Sequence, residues 1–190
     1  MKKIAAVFIL VGFFFLLTDE FVTFAASPPS RDRMLPEVSL PTPESLDEKS
    51  YLGISGYGHF KIPQIKAQVI VIEIFSMYCP YCQKDAPGVN EVYRRIENNP
   101  NLKDKIKMIG IGAGNSLYEV EVFKRTNQVP FPLFSDKDFA IHKAYGEVRT
   151  PYYIVVRINN DGTHQIVHAQ LGGFHGAESF LQLVLRVSGL

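Results

Sequence analysis

The sequence has 190 residues with 20 basic and 19 acidic side chains, so its formal net charge at pH 7 is only +1. No run of Lys or Arg suggests a nucleic-acid partner, and no acidic block indicates a disordered tail. A hydrophobic share of 46% is enough for a buried core, and the length fits one domain with an extension.

The first 25 residues have the layout of a secretory signal. Lys2 and Lys3 precede an apolar run at residues 4–17, and small residues follow at 25–27. The run has about 14 residues, fewer than the roughly 20 that cross a bilayer. We therefore predict a signal peptide over residues 1–25 and export to the periplasm or another extracytoplasmic compartment. An uncleaved membrane anchor is the alternative.

The next segment, residues 26–50, is rich in proline. Residues that precede proline avoid the helical region, so this segment is predicted to be an extended Pro-rich linker or wrap. Glycines and spaced aromatic residues within 51–65 predict a short hairpin. The folded domain is predicted to span residues 51–190.

The remainder of the chain alternates strands and helices. Residues 69–75 form a continuous, largely β-branched run, which is typical of a central strand buried on both faces. Apolar spacing and turn residues predict helices over 82–98, 117–126, 138–145 and 177–187, and strands over 106–112, 152–158 and 164–169. This order predicts an α/β fold, a three-layer sandwich whose mixed central sheet has helices on both faces.

Both cysteines of the chain lie in Cys79-Pro80-Tyr81-Cys82, directly after the predicted buried strand and at the start of a helix. Backbone N–H groups and the helix dipole favour an anion at that position, so Cys79 is predicted to be the attacking thiolate. Cys82, one turn later, is placed to attack the resulting mixed disulfide. Cross-linking a two-residue loop stabilises little, which favours a reactive pair over an inert structural disulfide.

A zinc site is another possible use of these cysteines, with His164 and His168 completing the ligand set. About 80 residues separate them from Cys82, far more than in ordinary two-Cys, two-His sites, and both histidines lie on a predicted strand. We therefore predict no metal and no cofactor other than a redox-active disulfide between Cys79 and Cys82.

A glycine-rich stretch, residues 110–114, follows the strand predicted at 106–112. It hints at a dinucleotide loop, but Asn115 stands where the last glycine of that motif should be. We interpret the stretch as a tight loop.

Residues 71–82 resemble the active-site segment of the thioredoxin superfamily. Within it, residues 131–136, 145–146 and 148–152 resemble the TlpA/ResA-like branch, which is related to the AhpC/TSA proteins. The resemblance covers residues 68–187. It implies a thioredoxin-like fold and an exported thiol–disulfide oxidoreductase that acts on protein thiols as a disulfide reductase or, alternatively, as an oxidase.

The resemblance also assigns roles to two carboxylates. Glu73, six residues before Cys79, stands where thioredoxins carry a buried Asp, and it could take up the proton of Cys82. Asp85, three residues after Cys82, matches an acidic position of the ResA-like proteins. A solvent-facing side chain is the alternative for both residues.

Substrate contacts are implied as well. Thr150-Pro151 corresponds to the cis proline that faces the C-x-x-C in this family, and the Thr150 backbone would then pair with an extended substrate. Met77, Tyr78 and Tyr81 are predicted to form an apolar rim around the thiol, with packing against the core as the alternative.

The leading prediction is electron exchange with protein thiols and disulfides, which for a ResA-like protein would include apocytochrome c and a membrane thiol electron donor. Two other classes stay open. Ser76-x-x-Cys79 resembles peroxiredoxins, which reduce peroxides, although Ile72 replaces their proline. Copper-delivery proteins of the Sco type share the fold, but they place three residues between their cysteines and use a downstream His, here His168.

Overall fold

The computed structural model describes residues 26–190, and the predicted signal segment lies outside the described residues. In chain order the elements are β1 (Ser39–Pro41), α1 (Leu46–Leu52), β2 (His59–Lys61), β3 (Val69–Phe75), α2 (Pro80–Glu97), β4 (Ile106–Ala113), α3 (Leu117–Thr126), β5 (Leu133–Asp136), α4 (Ala140–Ala144), β6 (Tyr152–Ile158), β7 (His164–Leu171) and α5 (Ala177–Ser188). None of the helices in this part of the chain combines the length and hydropathy that a bilayer crossing requires.

Five strands form one mixed sheet in the order β5-β4-β3-β6-β7. β3, β4 and β5 run parallel because helical crossovers join them, whereas β6 pairs antiparallel with both β3 and β7. The parallel half and the antiparallel half therefore meet at β3, which is the central strand.

All seven residues of β3 are buried, as the β-branched run predicted. Val71 and Phe75 face a core cluster formed with α2, α3 and α5, while Ile72 and Ile74 face a second cluster formed with α1 and α4. Helices thus cover both faces, and the predicted three-layer α/β fold with a mixed sheet is confirmed.

The proline-rich segment differs from the predicted linker. Leu35 and Leu40 are 3% and 0% exposed and belong to the second core cluster. Ser45 caps α1, which begins at Leu46, five residues before the predicted domain boundary. Prolines do prevent a long helix here, but the few apolar side chains among them are enough to pack the segment against the domain.

The hairpin predicted within residues 51–65 was wrong. Residues 51 and 52 end α1, and Gly53 caps this helix in the left-handed region at φ 63°. β2 therefore pairs with the earlier strand β1, with Leu40 opposite Phe60. Glycine marks a helix end in this case rather than a hairpin turn.

The same N-terminal segment also reaches one edge of the main sheet. The Asp32 N–H donates to the Ile166 carbonyl, and the Ile166 N–H donates to the Arg33 carbonyl, both at 2.8 Å. Ile166 lies on β7, the outermost strand on that side. Asp32 and Arg33 thus cover part of an otherwise open strand edge.

Replacing Leu40 by alanine should lower the free energy of unfolding by about 2–5 kcal/mol, because the change leaves a cavity in the second core cluster. Denaturant unfolding would measure it. Met34→Ala is the matched control, since Met34 lies in the same segment but is 69% exposed; its effect should stay within about 0.5 kcal/mol. Equal, small effects would mean that this segment does not stabilise the domain.

Candidate functional site

The two cysteines lie where β3 passes into α2. Cys79 is the N-cap of α2, and Pro80 follows at the first helical position, where its fixed φ suits a helix start. The Cys79 N–H donates to the Ser76 carbonyl at 3.0 Å, which closes the turn between strand and helix. The helix therefore begins at Pro80, two residues earlier than predicted.

The environments of the two thiols differ strongly. Cys79 is partly exposed, and its Sγ accepts the Cys82 N–H at 3.3 Å. Burial raises the pKa of Cys79, but hydrogen bonds from Cys82 and from backbone N–H groups outweigh this and place that pKa below its ordinary value. Cys82 is fully buried, and its pKa is raised well above the ordinary value, chiefly by burial. At neutral pH the outer sulfur is thus the better nucleophile.

A cis peptide bond joins Thr150 and Pro151, as the family resemblance implied. It lies directly before β6, and the Thr150 carbonyl is 3.4 Å from Cys79 Sγ, the thiol donating. Pro151 is buried, whereas Thr150 remains partly exposed. The Thr150 backbone is therefore next to the sulfur that faces solvent.

Glu73 lies in the core, where its charge contributes to the raised pKa of Cys82, rather than at a solvent-facing edge. It is 4% exposed, and the Tyr153 hydroxyl donates to its Oε1 at 3.4 Å. Burial raises the pKa of Glu73 to about 8, with a further contribution from the nearby Asp85 carboxylate. A carboxyl group that changes protonation near neutral pH beside a buried thiol is suited to proton transfer.

Asp85 is the second carboxylate of the site. Its side chain points inward from α2, and its Oδ2 is buried with no hydrogen-bond partner among the described residues. Burial raises the pKa of Asp85. Gly173 makes room for this carboxylate, because a Cβ at that position would lie 2.2 Å from Asp85 Oδ2. The alternative of a fully solvent-facing aspartate therefore does not apply.

The predicted rim divides into two parts. Tyr78 and Tyr81 are 67% and 70% exposed on either side of Cys79, whereas Met77 packs partly against the core. The Tyr78 hydroxyl donates to Glu119, the residue whose side chain also accepts from Ser116 at the start of α3. These hydrogen bonds lower the pKa of Glu119 to about 2.

Asn115 is a residue of the site whose role the sequence did not reveal. It is fully buried, and its Oδ1 accepts the Met77 N–H at 2.8 Å, which links the loop after β4 to the turn that carries Cys79. Gly112 permits this contact, because a Cβ there would lie 3.1 Å from Asn115 Oδ1. The tight loop predicted over residues 110–114 was wrong for most of that stretch, because Gly110 and Gly112 lie on β4 and only Gly114, at φ 66°, is in the turn. The asparagine that breaks the dinucleotide motif holds the active-site turn.

Replacing Asn115 by alanine should lower the free energy of unfolding by about 1 kcal/mol, since one buried hydrogen bond is lost. The loss of stability stays low because Asn115 Nδ2 has no hydrogen-bond partner among the described residues. The substitution therefore also removes a buried donor that is unsatisfied. Hydrogen exchange at the Met77 N–H should also become faster. Asn101→Ala, at an exposed loop position, should change neither quantity; if both variants behave alike, the contact does not hold the turn.

Within residues 26–190, no group of three His, Cys, Asp or Glu side chains is arranged as metal ligands. His164 and His168 lie on β7, and the His168 ring contacts Gln170 Oε1 at 2.8 Å.

The five-stranded mixed sheet, the C-x-x-C at the start of α2 and the adjacent cis proline together define a protein of the thioredoxin superfamily. The sequence also matches the model of the AhpC/TSA family over residues 34–165. This match covers more than half of the chain, and the chain therefore belongs to the AhpC/TSA family.

Two curated relatives bear the name thiol-disulfide oxidoreductase ResA, one from Bacillus thuringiensis subsp. konkukian and one from Bacillus cereus. Each is 26% identical to this chain over 103 residues, which is 54% of this chain and 55% of the relative. The chain thus spans about half the length of these relatives. Their similarity confirms the resemblance to the TlpA/ResA-like branch.

Solved structures show the same fold. StoA from Bacillus subtilis superposes with a TM-score of 0.55 at 19% identity, over 79% of this chain and 98% of StoA. A thiol:disulfide interchange protein from Chlorobium tepidum gives a TM-score of 0.56 at 17% identity, over 85% and 97%. A secreted Mycobacterium tuberculosis disulfide oxidoreductase gives a TM-score of 0.51 at 19% identity, over 70% of this chain and 90% of that protein.

Proposed function

We propose that this protein is a thiol–disulfide oxidoreductase that exchanges electrons with protein cysteines through Cys79 and Cys82. The observation that carries the proposal is the asymmetry of the pair. Cys79 is accessible beside the Thr150 backbone with a lowered pKa, and Cys82 is buried one helical turn behind it with a raised pKa. This arrangement suits a nucleophile and a resolving thiol.

In the proposed reaction, the Cys79 thiolate attacks one sulfur of a partner disulfide. A bond forms between Cys79 Sγ and that sulfur, and the partner's second sulfur leaves as a thiolate. Cys82 then loses its proton and attacks Cys79 Sγ, which releases the partner's remaining sulfur and forms the Cys79–Cys82 disulfide. The protein gives up two electrons and the partner disulfide is reduced.

We propose the reductase direction, with protein disulfides as substrates and no cofactor beyond the cysteine pair. The names of the ResA relatives support thiol–disulfide chemistry in general. Apocytochrome c as a substrate and a membrane thiol donor as the source of electrons remain proposals from the family resemblance. The potential of the pair would decide the direction, since values near −270 mV or lower mark a reductase and values near −120 mV an oxidase.

We also propose that the protein works outside the cytoplasm. The sequence pattern of residues 1–25 and the secreted Mycobacterium tuberculosis protein of the same fold support this proposal. A fusion of the full chain to alkaline phosphatase tests it, because that enzyme needs disulfides that form after export. Activity of a fusion lacking residues 2–25 would contradict the proposal.

The activity itself is tested by the reduction of insulin disulfides with dithiothreitol as electron donor, with peroxide consumption and Cu(I) binding measured on the same preparation. The proposed function requires catalysed insulin reduction. The proposal fails if insulin is reduced no faster than by dithiothreitol alone. Peroxide turnover would then indicate a peroxide reductase, and tight Cu(I) binding at the two sulfurs would indicate a copper-delivery protein.

A further inference from the structure

Tyr153 lies next to the site. The sequence analysis did not single it out, and the proposed exchange reaction does not use it. It stands on β6, two residues after the cis proline, in the register position opposite Glu73 on β3. Its ring is fully buried. Its hydroxyl donates to Glu73 Oε1 at 3.4 Å, so it is a polar group placed deep in the core against a buried carboxylate of the site.

The ring of Tyr153 is held firmly by two other aromatic residues. Phe174 and Phe180 lie with their ring centroids 5.3 and 5.6 Å from that of Tyr153, and they stack on each other at 4.3 Å. A phenylalanine would make the same ring contacts. The hydroxyl is therefore the part that packing does not require, and burying a hydroxyl without a partner would be costly.

The surroundings of Glu73 contain few other titratable groups. α2 contributes Cys82 and Asp85, and β6 contributes Tyr153. Lys84, which acts on Asp85, is exposed to solvent. The register neighbour on β4 is Gly110, which has no side chain. On the side of α5, Gly173 adjoins Asp85, and the two phenylalanines adjoin Tyr153. Among the described residues, Tyr153 is thus the one side chain that donates a hydrogen bond to this carboxylate.

We propose that Tyr153 is a positioning residue of the thiol–disulfide site: its hydroxyl orients the Glu73 carboxylate toward Cys82 and favours the ionised carboxylate, which then accepts the Cys82 proton. This inference rests on the proposed function and deepens it. It concerns the second step alone, in which Cys82 becomes the attacking thiolate.

In that step, the proton of the Cys82 thiol moves to Glu73, and the sulfur lone pair forms the bond to Cys79 Sγ. The bond between Cys79 and the partner sulfur breaks, and its electron pair leaves on the partner as a thiolate. The Tyr153 hydroxyl keeps its own proton throughout. Because it donates to the ionised form of Glu73, it lowers the pKa of that carboxyl and opposes the effect of burial.

A two-phase thiol titration isolates the step. Reduced protein mixed with 5,5′-dithiobis(2-nitrobenzoate) releases a first chromophoric thiolate when Cys79 attacks, and a second when Cys82 displaces the one bound to Cys79. The rate of the second release, followed by stopped flow from pH 5 to 10, should rise as Glu73 ionises. In Tyr153→Phe this rise should move to higher pH by about one unit, which is a roughly tenfold slower second release at pH 7.

Tyr145→Phe is the matched control. Tyr145 is equally buried but lies in the core cluster on the other face of the sheet, and its hydroxyl has no partner among the described residues. Its removal should leave both phases unchanged. In Glu73→Gln, adding Tyr153→Phe should cause no further shift, because the carboxylate on which the hydroxyl acts is gone.

A measurement on proteins that keep Tyr153 covers the case in which Tyr153→Phe does not fold. The infrared band of a hydrogen-bonded tyrosine should change as Glu73 titrates in the unsubstituted protein, and this change should vanish in Glu73→Gln. A tyrosine band that stays constant, or a Tyr153→Phe variant with an unshifted second phase, would overturn the positioning role while leaving the exchange reaction intact. A protein that releases no second thiolate would overturn the proposed function itself.

Discussion

Replacing Cys79 by serine should abolish insulin reduction, with a fall of roughly 10³-fold or more to the uncatalysed level. Cys79 carries the accessible sulfur whose pKa is lowered at the start of α2, and a serine hydroxyl at that position is not ionised at neutral pH. The measurement is the initial rate at a fixed dithiothreitol concentration. A Cys79→Ser variant with full activity would contradict the proposed mechanism.

Cys82→Ser is the companion variant, and it should fail in a different way. Cys79 can still attack, but the buried second thiol that releases the partner is missing, so a covalent complex should accumulate. Non-reducing electrophoresis with a disulfide-containing substrate would show this complex, and dithiothreitol would dissolve it. If Cys79→Ser trapped the partner and Cys82→Ser did not, the two sulfurs would have exchanged roles.

Replacing Glu73 by glutamine should make the protein more stable above pH 5 and slower in its reaction. Burial raises the pKa of Glu73 from 4.5 to about 8 in the folded chain. Between these values the unfolded chain has lost the proton and the folded chain has kept it, so rising pH favours unfolding. Glutamine stays neutral at every pH. The free energy of unfolding of the variant should therefore exceed that of the unsubstituted protein by about 3–5 kcal/mol at pH 8. Below pH 4 the two values should be equal.

Denaturant unfolding across pH 4–9 would measure this difference, and Glu121→Gln on the exposed side of α3 is the control that should leave the curve unchanged. Turnover at neutral pH should fall by about 10²-fold in Glu73→Gln, because the group that accepts the Cys82 proton is gone. A pH–stability curve identical to that of the unsubstituted protein would mean that Glu73 is not held protonated by burial.

The sequence predicted the parts of the fold that depend on local pattern. β3 and α3 have the predicted bounds because a continuous apolar run and a regular helical spacing each admit one interpretation. The strand β5 was not predicted as an element, since it has four residues, and prolines at 130 and 132 precede it. Its place in the sheet comes from pairing with β4, which is a tertiary contact.

The candidate site divides in the same way. Cys79 and Cys82 follow from a motif and its position at a helix start, and the cis proline and Glu73 follow from the family resemblance. Tyr153 and Asn115 do not, because their importance depends on strand register and on a loop that folds back 38 residues along the chain to reach Met77. A single sequence contains no local pattern that encodes either contact.

The pairing of residues 32 and 33 with Ile166 means that truncation of the N-terminal segment would expose the edge of β7. A fragment that started at residue 37 would leave the backbone N–H and C=O of Ile166 on the outer margin of β7 without partners. Bare margins of this kind recruit strands from other molecules and promote self-association. A fragment limited to the region around the C-x-x-C would therefore be shorter but more prone to self-association.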